Sequence, residues 1–156
     1  MDLRYEKKFF IDAIYFDDFY YLIRKSNFGF REIYDKRIIN SIYFDNLDFD
    51  CFNDSLDGSA TREKFRLRWY GNKNRVNAIF EIKQKFGYVG KKINFSIGEI
   101  DLSKKLFDLK ICQRIKNSID LKEHSYNLYR LKPNIFINYV RRYFSCPENK
   151  FRITLD

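Results

Sequence analysis

Apolar and polar positions alternate most regularly over residues 62–70. Lys64, Arg66 and Arg68 fall on one side of an extended chain, and Phe65, Leu67 and Trp69 fall on the other. Spacing with period two predicts a half-buried strand. The Gly71-Asn72 pair after it predicts a turn. The pattern returns over residues 78–85, where Glu81, Lys83 and Lys85 oppose Phe80 and Ile82. Residues 87–90 read as the next turn. Further strands are expected over residues 4–11, 38–45, 91–97, 134–144 and 150–155; in the last, Arg152 and Thr154 oppose Phe151, Ile153 and Leu155.

Helical spacing appears first over residues 13–25. Ile14, Phe16, Phe19, Tyr20, Leu22 and Ile23 make one broad apolar face, and Asp12 stands where an N-cap belongs. Residues 46–60 are rich in Asn, Asp and Ser and are expected as a loop. Residues 102–131 read as mainly helical, ended by Pro133. Strands joined by short turns pair antiparallel. The expected class is α+β with a dominant antiparallel sheet, in a single domain over residues 1–156.

Composition narrows the function. The 156 residues are 45% apolar and 19% aromatic, which excludes disorder, and 6 Gly and 2 Pro exclude a flexible or collagen-like chain. Lys and Arg number 30 against 21 acidic residues, a net charge of +9, so an anionic partner is expected. Cys51, Cys112 and Cys146 are odd in number and widely spaced, and His124 is the lone histidine. That pattern speaks against a zinc site or a disulfide framework and for free thiols in a reducing compartment. The charged N-terminus is no signal peptide, and no apolar run reaches the roughly 20 residues a bilayer span needs. The chain is expected to be soluble and cytoplasmic, without a membrane segment.

Cations recur on the polar faces: Arg4 and Lys8, then Arg66 and Arg68, then Lys83 and Lys85, with Glu6 and Glu81 in the same rows. Two readings fit. Water and salt screen such charges on a flat solvated face. Alternatively, a sheet curled into a small barrel converges the rows around a chain of phosphates, with the carboxylates available to a divalent cation. Composition does not choose between them.

Several blocks do resemble a known family. Ser41-Ile42-Tyr43-Phe44-Asp45-Asn46 resembles the S-x-Y-F-D-[TN] segment of the VTC (vacuolar transporter chaperone) domain. The run from Phe65 to Gly71 resembles its R-x-R-[WY]-Y block, Glu81-Ile82-Lys83 its E-x-K strand, Tyr139-Val140-Arg141 its Y-x-R strand, and the run from Phe151 to Asp156 its R-[IV]-[ST]-L-D strand. Order and spacing agree over essentially the whole chain. VTC domains are grouped with the triphosphate tunnel metalloenzymes, alongside CYTH-type triphosphatases and thiamine triphosphatase.

The resemblance implies an antiparallel β-barrel with flanking helices, whose tunnel binds triphosphate. It implies polyphosphate polymerisation: transfer of the γ-phosphoryl of ATP to a growing polyphosphate chain, with Mn2+ or Mg2+. Carried over, the catalytic and phosphate-binding cations are Lys8, Arg66, Arg68, Lys83 and Arg141. Arg152 and one of Lys91 and Lys92 add to substrate binding. The run from Arg4 to Lys8 resembles the E-x-E-x-K signature with Arg4 in place of the first Glu, leaving Glu6 as the metal candidate. The family continues beyond the last strand with an E-[VI]-K segment, whose Glu is the expected metal ligand, and a late Lys. The chain stops at Asp156, so a barrel incomplete at its C-terminus is expected. Either the chain is a fragment of a longer product or it is naturally short, and a short form would expose sheet edges that favour self-association.

Other functions remain open at this stage. The same tunnel in a hydrolase cleaves inorganic or nucleoside triphosphate. A non-catalytic module binds polyphosphate without turnover. RNA binding, suggested by the net charge and by Tyr43, Trp69 and Tyr70, is set aside because the R-x-R block fits a tunnel in which Trp69 packs in the core. His124 reads as a surface residue.

Overall fold

The computed structural model describes residues 6–102, 109–118 and 128–156. In chain order the elements are α1 (Phe16–Lys25), β1 (Arg31–Asp45), α2 (Asp50–Leu56), β2 (Thr61–Tyr70), β3 (Arg75–Phe86), β4 (Val89–Asp101), α3 (Leu109–Ser118), β5 (Lys132–Ser145) and β6 (Arg152–Leu155). The class is α+β, with six antiparallel strands hydrogen-bonded in the order β4-β3-β2-β1-β5-β6. Strands β4 and β6 end that order and no hydrogen bonding joins them among the described residues. Among the described residues the sheet is not closed, so the expected α+β antiparallel class is found and a tunnel barrel is not. Closure needs the last strand's donors and acceptors to meet the first strand's, and that pairing is not made.

Residues divide into two compact units, Ile39–Asn138 in one and Met1–Ile38 with Tyr139–Asp156 in the other. The first is built on β2, β3 and β4. Leu67, Phe80, Ile82 and Ile100 are fully buried, joined by Ile115 of α3. Trp69 is 2% exposed and stacks on Phe136 with ring centroids 5.9 Å apart. The period-two reading of β2 and β3 is borne out: Phe65, Leu67 and Trp69 are buried on one face, with Phe80 and Ile82 across from them.

Strand β4 keeps two patterns in one chain. Opposite β3 the register shifts between Ala78 and Ile79: Ile79 faces Ser96, Ala78 faces Gly98, and Ile97 is the extra residue. Gly98 takes φ of +74°, a left-handed conformation that costs other residues energy. Before the bulge Ile93 and Phe95 turn toward the core; after it Ile100 does.

In the other unit, Ile23, Phe30, Phe144, Cys146 and Leu155 form a smaller core. The Asp12 carboxylate accepts a hydrogen bond from the Ile14 amide at 3.1 Å, starting a 3-10 turn (Ala13–Tyr15) that leads into α1. Asp17 and Asp18 begin α1 while Arg24 and Lys25 end it, matching its dipole. Its buried stripe is narrower than expected. Phe16, Tyr20 and Ile23 reach the core, and Ile14 and Leu22 stay exposed.

Three further expectations change. Residues 6–11 form no strand, and residues 1–5 lie outside the described part. Phe9 and Phe10 are adjacent, so alternation cannot bury both, and both are exposed. Strand β1 begins seven residues earlier than expected, at Arg31 rather than residue 38; its outer half is exposed and carries little alternation. The expected loop 46–60 contains α2. Its polar residues are caps: the Asp45 carboxylate accepts from the amides of Cys51 and Phe52 at 3.1 and 3.0 Å, and the Asn46 side chain accepts from those of Asp48 and Asp50. Helix α3 and a 3-10 turn over Leu128–Arg130 account for the described part of 102–131; His124 lies outside it. The three cysteines are free thiols.

Replacing Gly98 by Ala meets no atom within 4 Å, so only backbone strain opposes it. Gly98→Ala is expected to lower stability by roughly 1–2 kcal/mol, read as a shift in the urea midpoint at constant m-value.

Candidate functional site

The polar face of β2, β3 and β4 is assembled by register. Arg66 lies opposite both Tyr43 of β1 and Glu81 of β3, and Arg68 lies opposite Ser41. One step along, Lys64 faces Lys83, and Lys83 faces Lys92. Three lysines thus form one cross-strand row, all exposed, beside the two arginines. Like charges set directly opposite one another destabilise a sheet. An anion laid along the row removes that penalty.

Glu81 is the counterweight. Its side chain is 5% exposed. One carboxylate oxygen accepts from Arg66 Nε and lies 4.0 Å from Arg68 Nη1; the other lies 3.4 Å from Lys92 Nζ. Burial pushes this carboxyl up, but Arg66, Arg68 and Lys92 outweigh it and hold its pKa below the usual carboxylate range. Burial likewise works against the Arg66 charge. Glu81 and Tyr43 overcome it, and the Arg66 pKa is raised. Arg66 Nη1 also donates to the Tyr43 hydroxyl at 3.2 Å, and Arg68 Nε donates to Ser41 Oγ at 3.4 Å. Each guanidinium is thereby oriented with part of its fork already used.

Of the residues expected to act, Arg66, Arg68, Lys83 and Lys92 share this face. Lys91 does not: it lies opposite Gln84, on the other side of β4. Lys64 belongs to the row and was missing from the expected set, although its period-two spacing from Arg66 marked it. The remaining candidates lie in the other compact unit. Arg141 on β5 makes a bidentate ion pair with the Asp156 carboxylate and lies over the Tyr139 and Tyr143 rings, 5.2 and 5.9 Å from their centroids. The Asp156 hydrogen bonds raise its pKa above the ordinary value. Arg152 is exposed on β6, and Lys8 is exposed in the irregular segment before α1, 3.9 Å from Glu6.

The profile of the VTC domain family matches residues 3–156. The chain belongs to the VTC domain family. Vacuolar transporter chaperone complex subunit 4 of Schizosaccharomyces pombe is 26% identical to it over 76% of this chain. That alignment covers 20% of the relative, so this chain spans about a fifth of the curated relative it matches. No helix among the described residues of the VTC domain is long and apolar enough to cross a membrane.

A divalent cation needs several oxygen donors, shared between protein and substrate. Among the described residues, no group of three or more His, Cys, Asp or Glu side chains is placed to hold one. Glu6 is a single exposed carboxylate beside Lys8, and both oxygens of Glu81 face cations. The described side chains do not by themselves assemble a metal site.

Because the Glu81 pKa is depressed in the folded protein, its ionised form stabilises the fold above the ordinary value of 4.5, and the contribution is lost as pH falls through the lower folded value. Glu81→Gln is expected to cost roughly 3–5 kcal/mol at pH 7, since it leaves buried cations uncompensated. It also flattens the acid limb of the stability profile, measured by urea unfolding between pH 3 and 7.

Proposed function

We propose that this VTC domain binds triphosphate and polyphosphate on the cationic face of β2–β4 and transfers the γ-phosphoryl of ATP to the end of a growing polyphosphate chain. The observation that carries the reading is the Lys64–Lys83–Lys92 row beside Arg66 and Arg68: five cations with one buried carboxylate among them. Family membership and the relative's place in a vacuolar transporter chaperone complex support it. The relative's name also supports assembly with further subunits or copies.

In the transfer, a terminal phosphate oxygen of the acceptor attacks the γ-phosphorus. The bond from that phosphorus to the β–γ bridging oxygen breaks, and ADP leaves with the electron pair. Such transfers depend on alignment and on fixed positive charge around the equatorial oxygens. Arg66 and Arg68 present planar forks to phosphate oxygens, and the lysines neutralise neighbouring phosphates as point charges. Glu81 fixes the direction of Arg66 and Lys92, so little reorganisation is needed when the anion arrives. No nucleophilic side chain is required. Lys8, Arg141 and Arg152 stand in the other compact unit.

A second reading, hydrolysis of the same triphosphate, is favoured by the exposure of the lysine row, which leaves water access to the bound phosphorus.

Incubation with ATP and manganese, with products resolved by gel and phosphorus NMR, separates the two. Long chains are expected; free phosphate alone selects hydrolysis. Arg66→Ala is expected to weaken tripolyphosphate binding about tenfold or more, the usual cost of losing a charge-assisted hydrogen bond. Unchanged affinity, measured calorimetrically, removes the phosphate site from this face.

A further inference from the structure

Beside the cationic row lies a cavity of about 730 Å³, lined among others by Tyr43, Phe49, Phe52, Lys64, Ile135 and Ile137. All of these belong to the same compact unit as the row. The volume is in the range of small-molecule sites. Its apolar walls are only half covered: Phe49, Phe52, Ile135 and Ile137 are 48%, 58%, 53% and 41% exposed. The cavity and the cationic cluster share two side chains. Tyr43 lines the cavity while its hydroxyl accepts from Arg66, and Lys64 lines it while opposing Lys83.

The shape of the lining restricts the occupant. Rings from Phe49 and Phe52 favour a flat, stackable group, and Lys64 at the same wall favours one that carries an anion. Asp48, Asn53 and Ser55 also line the cavity, and the Ser55 hydroxyl is buried without a hydrogen-bond partner. A hydrocarbon tail leaves such groups unsatisfied, whereas the polar edge of a heterocycle can answer them. Phe49 is held at φ of +57°, a conformation bulky side chains rarely adopt, just before α2 places Phe52 at the wall.

We propose that this cavity holds the base of a nucleotide whose phosphates extend onto the Lys64–Lys83–Lys92 row. The proposal rests on the phosphate-binding reading of that row and adds a place where a nucleoside triphosphate is told from an inorganic one. Phe52 supplies the stacking surface, Tyr43 joins the base site to Arg66, and Lys64 meets the first phosphates.

Calorimetric titration of the full chain with ATP and with tripolyphosphate tests it. Phe52→Ala is expected to weaken ATP about tenfold, as loss of a base-stacking ring does, and to leave tripolyphosphate within twofold. Unchanged ATP affinity overturns the base site. Arg66→Ala, run alongside, reports on the phosphate site separately: tripolyphosphate binding lost there but ATP untouched in Phe52→Ala keeps the row and removes the cavity. Photolabelling of the unmutated chain with 8-azidoadenosine triphosphate gives a readout independent of any variant's folding. Label on residues 47–56 supports the proposal, and label confined elsewhere overturns it.

Discussion

A carboxylate as enclosed as Glu81 cannot stand alone in a sheet. Its charge is tolerable only because Arg66, Arg68 and Lys92 converge on it, and they converge only because β2, β3 and β4 pair in one register. The dependence runs both ways. Without Glu81 the guanidiniums would be repelled into solvent; without the strand pairing the cations would never share a face with it. The arrangement therefore fixes the direction of positive charge as well as holding the three strands together. It leaves a surplus of cations directed outward, with the lysine row at its edge.

That face was legible in the sequence as far as alternation reaches. Period-two spacing placed Arg66 and Arg68 opposite Leu67 and Trp69, and set Glu81 and Lys83 on a common side of their strand. Alternation within a strand says nothing of which residue of the next strand lies across. Lys64 and Lys92 became partners of Lys83 only through register, although alternation with Ile93 and Phe95 already set Lys92 on the polar side of β4 and Lys91 on the other. The strand expected around Glu6 was misread on a different ground: the adjacent Phe9 and Phe10 defeat a strand pattern, and Glu6 stands exposed 3.9 Å from Lys8. Helix α2 was hidden because Asn46, read as a loop residue, and Asp45, read as the end of a strand, accept hydrogen bonds from its first amides.

The same interplay of cap and strand shapes the ground around the cationic row. Asp45 closes β1 and also receives the first amides of α2. One short side chain thus sets where Phe52 stands relative to Tyr43, two residues before it in β1. Cys51 pays for this proximity with its reactivity. Burial and the neighbouring Asp45 push its thiol up to about 12, so near neutral pH it is a small packing group rather than a nucleophile. Polar chemistry near the site is thereby left to the fixed cations.

The bulge in β4 has a consequence for how such a domain can change over generations. Ile97 is one residue more than β3 provides for, and it resets which parity of β4 faces inward: Lys92 and Ile100 are both even-numbered, yet one meets the lysine row and the other the core. Substitutions along the strand alter one side chain at a time. Loss of a single codon between Ser96 and Ile100 would instead move every residue on one side of the deletion to the opposite surface, exchanging charge for hydrocarbon. In β4, a change of length would disturb the two faces more than a change of identity at any one position.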